Sequence, residues 1–431
     1  MQKNKILMKK LGGFLLVSLA MAIVAHSQTY DNTFNGAVDN KWNTVGNWLA
    51  GSLPGSADSV SINYGENKSG KVELENDITV GDLNFYHNPA GWASSGFTGS
   101  GTINADSFTI SGYNGNFSMG NVSLNIKGEI STVAILVARY IRADTISFGS
   151  GGNCGLEYTG TGTAENQNLF LTGAMYFNGG GNVILTGSSG EYYTTVGGIS
   201  GSGGNLQVKN NTSVANAYLT INVAEGQSYT YSGEISNKKN YWDSNPVANK
   251  TINITKTGLG SQYFTNKTRV ELTSVRVSEG VIGMAASLDQ NLMLDGGYFS
   301  MTVGNLSAEN IEWYSGGLIF DKTALDNGHK IELSGELFKM GEGPIEIDFD
   351  GLDGSEYIGK SFELISSPSG LGTLDSDANV DFIATDLTGA LADFAWNDNI
   401  LSVTFTNVPE PASIAALFGL AALTFAVRRR K

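Results

Sequence analysis

The chain is short of the residues that cross-link, bind metals and catalyse. Cys154 is the only cysteine in 431 residues, so no intramolecular disulfide can form and stability must come from burial and backbone ladders. Three histidines occur; beyond residue 27 only His87 and His329 remain, about 240 positions apart, with no cluster of nucleophiles or metal ligands around either. Each reads as a surface turn residue, and no catalytic residue, metal or cofactor is assigned. Positive charge is scarce too: 26 Lys and Arg face 41 Asp and Glu, a net −15. Without the basic termini the balance is about −22, and no Lys or Arg lies between 72 and 126 or between 143 and 208. A surface of that sign repels nucleic acid, so no nucleic-acid partner is expected. Sustained 3.6-residue apolar periodicity is almost missing between 28 and 407, which excludes a helical body.

What remains is glycine and short alternation. The 56 glycines are roughly double the usual share, set against seven prolines. Alternating runs predict strands at Lys71–Leu74, Thr102–Ile110, Val122–Ile126, Asn182–Thr186, Tyr218–Val223, Thr251–Thr255, Val270–Val277, Lys330–Leu333 and Ile345–Phe349, each bounded by Gly, Asn or Asp. Further strands are expected at Ser361–Ile365, Asp381–Ile383 and Ile400–Phe405, the last pair joined by a turn at 396–399. About 380 such residues without a linker exceed one sandwich. They point to an all-β fold, a right-handed parallel β-helix (β-solenoid) over 28–407 with tight glycine corners. The apolar run Thr132–Ile141 is too short to span a membrane and belongs to the core. Gly-rich stretches at 149–155, 179–181 and 197–204 are followed by neither Lys-Ser/Thr nor a helix, so they read as corners, not phosphate cradles. Asp348, Asp350, Asp353 and Glu356 could supply oxygen to calcium, but their spacing departs from the EF-hand pattern and they read as solvated loop carboxylates.

Near the start, Trp42 and Trp48 flank Asn43 and Asn47, followed by Leu53-Pro54 and Asp58. This resembles the opening segment of bacterial passenger-type β-helices. Two roles are open to the indoles: a cover for the open first coil, or a platform for stacking sugars. Replacing both by Ala separates them.

Both termini carry addresses. Lys3, Lys5, Lys9 and Lys10 precede an apolar run from Leu11 to Ala25, and the small residues Ala25 and Ser27 suit a signal peptidase. Residues 1–27 read as a signal peptide with the mature chain starting near Gln28. At 408–431, Pro409, Glu410 and Pro411 precede sixteen uncharged residues, then Arg428, Arg429, Arg430 and Lys431. Such a helix would reach roughly 24 Å, just enough for a single membrane crossing, with its basic end in the cytoplasm. This layout resembles the PEP-CTERM sorting signal of Gram-negative bacteria. The resemblance implies an exosortase partner in the membrane, export to the envelope, cell surface or extracellular matrix after transient inner-membrane anchoring, and a setting of exopolysaccharide and biofilm.

Residues 252–284 carry a second likeness. Lys256-Thr257-Gly258-Leu259-Gly260, a strand, then Glu279-Gly280 resembles the autotransporter-associated β-strand repeat, departing where Ser261-Gln262-Tyr263 replaces Thr-Leu-x. No set of lipid-facing strands precedes the tail, so no outer-membrane barrel is expected. The expectation is a non-catalytic surface or matrix protein for structure or adhesion; the alternatives are a carbohydrate-binding surface protein or a β-helix polysaccharide lyase or hydrolase.

Overall fold

The computed structural model describes residues 30–63, 70–87, 95–112, 116–149, 154–158, 160–186, 189–208, 214–236, 250–265, 270–370 and 372–408. Forty strands and a few single-turn helices make these residues nearly all β. The strands fall into a 25-stranded and a 15-stranded sheet.

Pairing follows one rule through the middle of the chain: each strand pairs in parallel with the third strand onward. Ser123–Ile126 pairs with Ile141–Ala143, Glu129–Thr132 with Thr145–Phe148, and Ile135–Ala138 with Gly155–Tyr158. Each coil therefore supplies three strands, one to each of three faces. The first and second faces merge into the larger sheet because Leu292–Ser300 and Ile311–Ile319 run through the corner between them. Long parallel sheets with this register are consistent with a β-solenoid.

Alternation sends every second side chain inward. On the second face the inward ladder reads Phe34, Ile62, Phe85, Ile110, Thr132, Phe148, Phe177, Gly201, Tyr231, Phe264 and Met284, residue paired with residue from coil to coil. Rings from different faces meet inside, Phe85 lying 4.6 Å from Phe117 in an edge-to-face pair. The run at 132–141 joins this core as expected, with Ala134, Leu136, Ala138 and Ile141 buried.

Corners hold a ladder of their own. Between the first and second faces, amides step from Gly81 to Asp58, Asp106 to Gly81, Gly128 to Asp106, Asp144 to Gly128, Gly173 to Asp144 and Gly197 to Gly173, each donating to the carbonyl one coil earlier. At Gly81 an added Cβ would stand 2.9 Å from the Ala57 carbonyl oxygen, so the corner admits little more than hydrogen there.

Three expectations need correction. The runs 102–110 and 270–277 are not single strands: each bends once, at Asp106 and at Thr273, giving Thr102–Ala105 with Ser107–Gly112 and Val270–Leu272 with Ser274–Val277. The one-residue corner slips the inward phase by one position, from Ala105 to Phe108 and from Leu272 to Val275, a shift small enough for each run to read as one strand. Residues 197–204 are not all corner either, since Gly198–Ser202 is a second-face strand, with Gly197 turning before it and residues 203–204 after it. The parallel order also stops before the end: Ser361–Ser366 pairs antiparallel with Ile400–Thr406, which pairs antiparallel with Leu391–Asn397. Asp398 and Asn399, at φ 47° and 66°, form the tight hairpin turn.

Candidate functional site

The tryptophans sit over the first coil. Trp42 and Trp48 are 4% and 3% exposed, edge to face at 4.7 Å, and Trp48 Nε1 donates to the Trp42 carbonyl at 2.8 Å. Their segment covers the first strand on two faces. Leu49 N donates to the Thr33 carbonyl beside Asn32–Phe34, while Trp42 N donates to Glu73 O and Glu73 N to Asn40 O beside Lys71–Leu74. Asn47, fully buried, holds the bend by accepting from the amides of Val38 and Asp39 and donating to the Lys41 carbonyl. Neither indole presents a face on which a sugar could stack, so the platform reading of Trp42 and Trp48 is corrected: the rings cover backbone that would otherwise stand unpaired.

The Lys-x-Gly-x-Gly segment is a corner with a mechanism. Lys256 is fully buried, and Nζ donates to the carbonyls of Thr257 (2.7 Å), Gly258 (2.6 Å) and Glu279 (3.3 Å). Burial pulls its ammonium down to about 8, against the smaller opposing pull of Glu279. Glu279, from the next coil, accepts from the Gly258 amide at 2.9 Å. Gly280 is pressed so closely beneath that an added Cβ would lie 2.4 Å from the carbonyl oxygens of Gly258 and Gly260. The motif residues thus lock two coils together at a corner.

The carboxylates at 348–356 disperse into separate roles. Asp353 is held below the usual carboxylate range by hydrogen bonding from the Ser355 side chain first and the Ser355 amide second, and Glu356 pairs with Lys322 at 3.1 Å. Asp348 accepts from the Asp350 amide; burial pushes both carboxyls up, helped by neighbouring acids that include Asp386. Among the described residues no group of three or more His, Cys, Asp or Glu converges where a metal ion could be held. His329 is half-buried with Nδ1 2.7 Å from the Met301 carbonyl, while the His87 side chain lies outside the described residues. Cys154 is buried, donates to the Gly149 carbonyl, and has its thiol pushed up by burial.

Sequence reasoning missed one exposed arrangement. The long first-face strands Gly190–Val196, Ala215–Asn222 and Lys250–Thr257 bring three outward rows into register: Glu191, Asn216 and Thr251; Tyr193, Tyr218 and Asn253; Thr195, Thr220 and Thr255. The Tyr193 and Tyr218 rings stack at 4.8 Å with planes 18° apart. Both hydroxyls donate to Glu191, at 2.8 and 3.4 Å, and that carboxylate pushes Tyr193 up to about 12. The available signal was the alternation of Tyr193 with buried Tyr192 and Thr194, which sends it outward; its partner 25 residues later follows only from coil register.

The signal residues Ala25, Ser27 and Gln28 and the sorting residues Pro409, Glu410, Pro411, Arg428, Arg429 and Arg430 lie outside the described residues, as does the expected membrane helix. Among the described residues no helix is long and apolar enough to cross a membrane. Residues 407–431 match the PEP-CTERM protein-sorting motif. No curated protein and no solved structure matches the chain. The motif marks an exported chain addressed to an exosortase, anchored in the membrane through its C-terminus and associated with the cell envelope.

Proposed function

We propose that this chain is a non-catalytic structural or adhesion protein of the Gram-negative cell surface or extracellular matrix, associated with exopolysaccharide. The observation that carries the reading is the sorting motif at 407–431, which follows a long parallel β body closed by an antiparallel hairpin. The body is taken as a right-handed coil, the hand that parallel crossovers overwhelmingly adopt. Residues 252–284 serve in it as a unit of the autotransporter-associated type, and residues 1–27 as a signal peptide removed before Gln28. Mass spectrometry of the surface-extracted protein tests the reading by fixing both termini. A start near Gln28 and an end near the Pro-Glu-Pro motif are expected. A product that keeps residues 412–431 in wild-type cells and behaves identically when Pro409, Glu410 and Pro411 are all replaced by Ala would contradict exosortase processing.

A second reading, carbohydrate binding, is favoured by the partly exposed Tyr193 and Tyr218 pair. Hydrolysis or lyase chemistry is the third. Its best location is the Asp348 and Asp350 carboxyls, and release of reducing or unsaturated ends that stops in Asp348→Asn would establish it.

A further inference from the structure

We propose that the outer first face formed by Gly190–Val196, Ala215–Asn222 and Lys250–Thr257 binds an uncharged polysaccharide chain, laid along the coil axis across Tyr193 and Tyr218. The inference rests on the surface-protein reading and names a partner for it.

The three contributing strands have seven, eight and eight residues, so their outward side chains form a grid of three rows by three coils, of which Thr195 is buried and the other eight are at least partly exposed. Tyr193 and Tyr218 are partly exposed and stand at its centre, the longest side chains of their row, next to the shorter Asn253. Stacked on each other, the two rings give one face each to the pair and leave the rest of their partly exposed surface to meet the apolar C–H face of a pyranose.

Around the rings the grid offers amides and hydroxyls already ordered as acceptors and donors. Thr251 Oγ1 donates to Asn216 Oδ1 at 2.9 Å, Asn253 Nδ2 to Thr251 Oγ1 at 3.1 Å, and Ser274 Oγ to Asn253 Oδ1 at 2.8 Å. Side chains fixed in this way lose little freedom on meeting hydroxyls of a ligand. Adjacent strands are about 4.8 Å apart, close to the length of one sugar unit, so successive units of a chain meet successive coils in the same way.

Charge selects the polymer. No Lys or Arg occurs from 143 to 208, and Lys250 and Lys256 face inward. Among the described residues, the exposed cations flanking the grid on this face are Arg142, over the Phe170 ring, and Arg276, paired with Asp295. Glu191 is the one carboxylate in the grid, and its oxygens are occupied by the two tyrosine hydroxyls. A polyuronate would meet a protein of net negative charge, whereas a neutral chain meets hydroxyl partners and two rings.

The test is affinity electrophoresis of the full exported protein in native gels containing hydroxyethylcellulose, glucomannan or dextran, with alginate as the anionic comparison. Retardation by at least one neutral polymer and none by alginate is expected. Tyr193→Ala with Tyr218→Ala should weaken it at least tenfold, while Tyr193→Phe with Tyr218→Phe, which keep the rings, should retain most of it. Nitration of tyrosine, read by peptide mass spectrometry, gives a second readout that needs no variant: the neutral polymer should shield Tyr193 and Tyr218 and leave Tyr86 and Tyr314 reactive. Absence of retardation by every neutral polymer, equal retardation of the double Ala variant, stronger retardation by alginate, or unshielded Tyr193 and Tyr218 would each overturn the proposal. These outcomes are independent of tail processing, so the proposal can fail while the surface-protein reading stands.

Discussion

The side-chain amide of Gln262 bonds both backbone groups of Ile199, 63 residues earlier and two coils away, accepting from its N–H at 2.8 Å and donating to its C=O at 2.9 Å. The intervening strand Ser228–Tyr231 meets Gly198–Ser202 only at Gly201 and Tyr231. Tyr229 lies instead against Gly198, where a Cβ would come within 2.2 Å of its ring. Gln262 supplies the hydrogen bonds that the displaced strand does not. Its place in the repeat-like segment, where Leu was the expected residue, therefore has a cause.

Gln262→Leu should strip two buried backbone groups of their partners, at roughly 1–3 kcal/mol each. Hydrogen exchange at the Ile199 amide should accelerate at least tenfold, with smaller changes on distant coils because a solenoid is stabilised coil by coil. Unchanged Ile199 exchange would show that water or a neighbouring strand replaces the amide.

Lys256 should make stability rise with alkalinity. Its folded value, about 8, lies below the ordinary 10.5. Between those limits the unfolded chain holds the proton and the folded one has released it, so raising pH favours the folded state; below 8 both are charged and the effect vanishes. Lys256→Met should cost about 2 kcal/mol at pH 7 through the carbonyls it orphans. Its gap from wild type should then widen from pH 8 to 10.5 in thermal melts. A constant gap would refute the role of burial.

Two glycines separate conformational strain from steric conflict. Gly226 has φ +74° with nothing within 4 Å of an added Cβ, whereas Gly280, at φ +61°, would bring that atom 2.4 Å from two carbonyl oxygens. Gly226→Ala should cost about 1 kcal/mol, the strain of the left-handed backbone alone. Gly280→Ala should cost at least twice that in urea unfolding. Equal losses would mean that the corner yields freely.

The indole cap can be divided in the same manner. Trp48→Phe keeps a ring against Phe34 and Trp42 but removes the Nε1 bond to Trp42, for about 1 kcal/mol. Trp48→Ala should cost about 3–5 kcal/mol and expose the Asn32–Phe34 edge to self-association, visible by light scattering. A monomeric, equally stable Trp48→Ala protein would remove the capping role.

Strand character was legible where alternation is strict, as in Ala215–Asn222, where inward and outward residues take turns without exception. Coil boundaries were not legible. Thr132 and Phe148 are ladder neighbours 16 residues apart, while Tyr231 and Phe264 are neighbours 33 apart, so no fixed period announces the repeat. One-residue corners such as Asp106 and Thr273 show only as a one-position slip of the pattern, from Ala105 to Phe108 and from Leu272 to Val275. The tryptophans were recognisable as a pair, but only tertiary burial decides between covering an edge and meeting a ligand. The tyrosine pair was hidden for the opposite reason: its members are remote in sequence and joined only by register.

Unequal coils have a mechanical meaning. The second face carries fifteen strand segments from Asn32–Phe34 to Phe382–Thr388, which at about 4.8 Å each gives a span of roughly 65 Å. A 16-residue coil and a 33-residue coil advance that span by the same step. The protein's reach is therefore counted in turns and not in amino acids: lengthening a corner changes its girth, and only a whole added turn makes it longer.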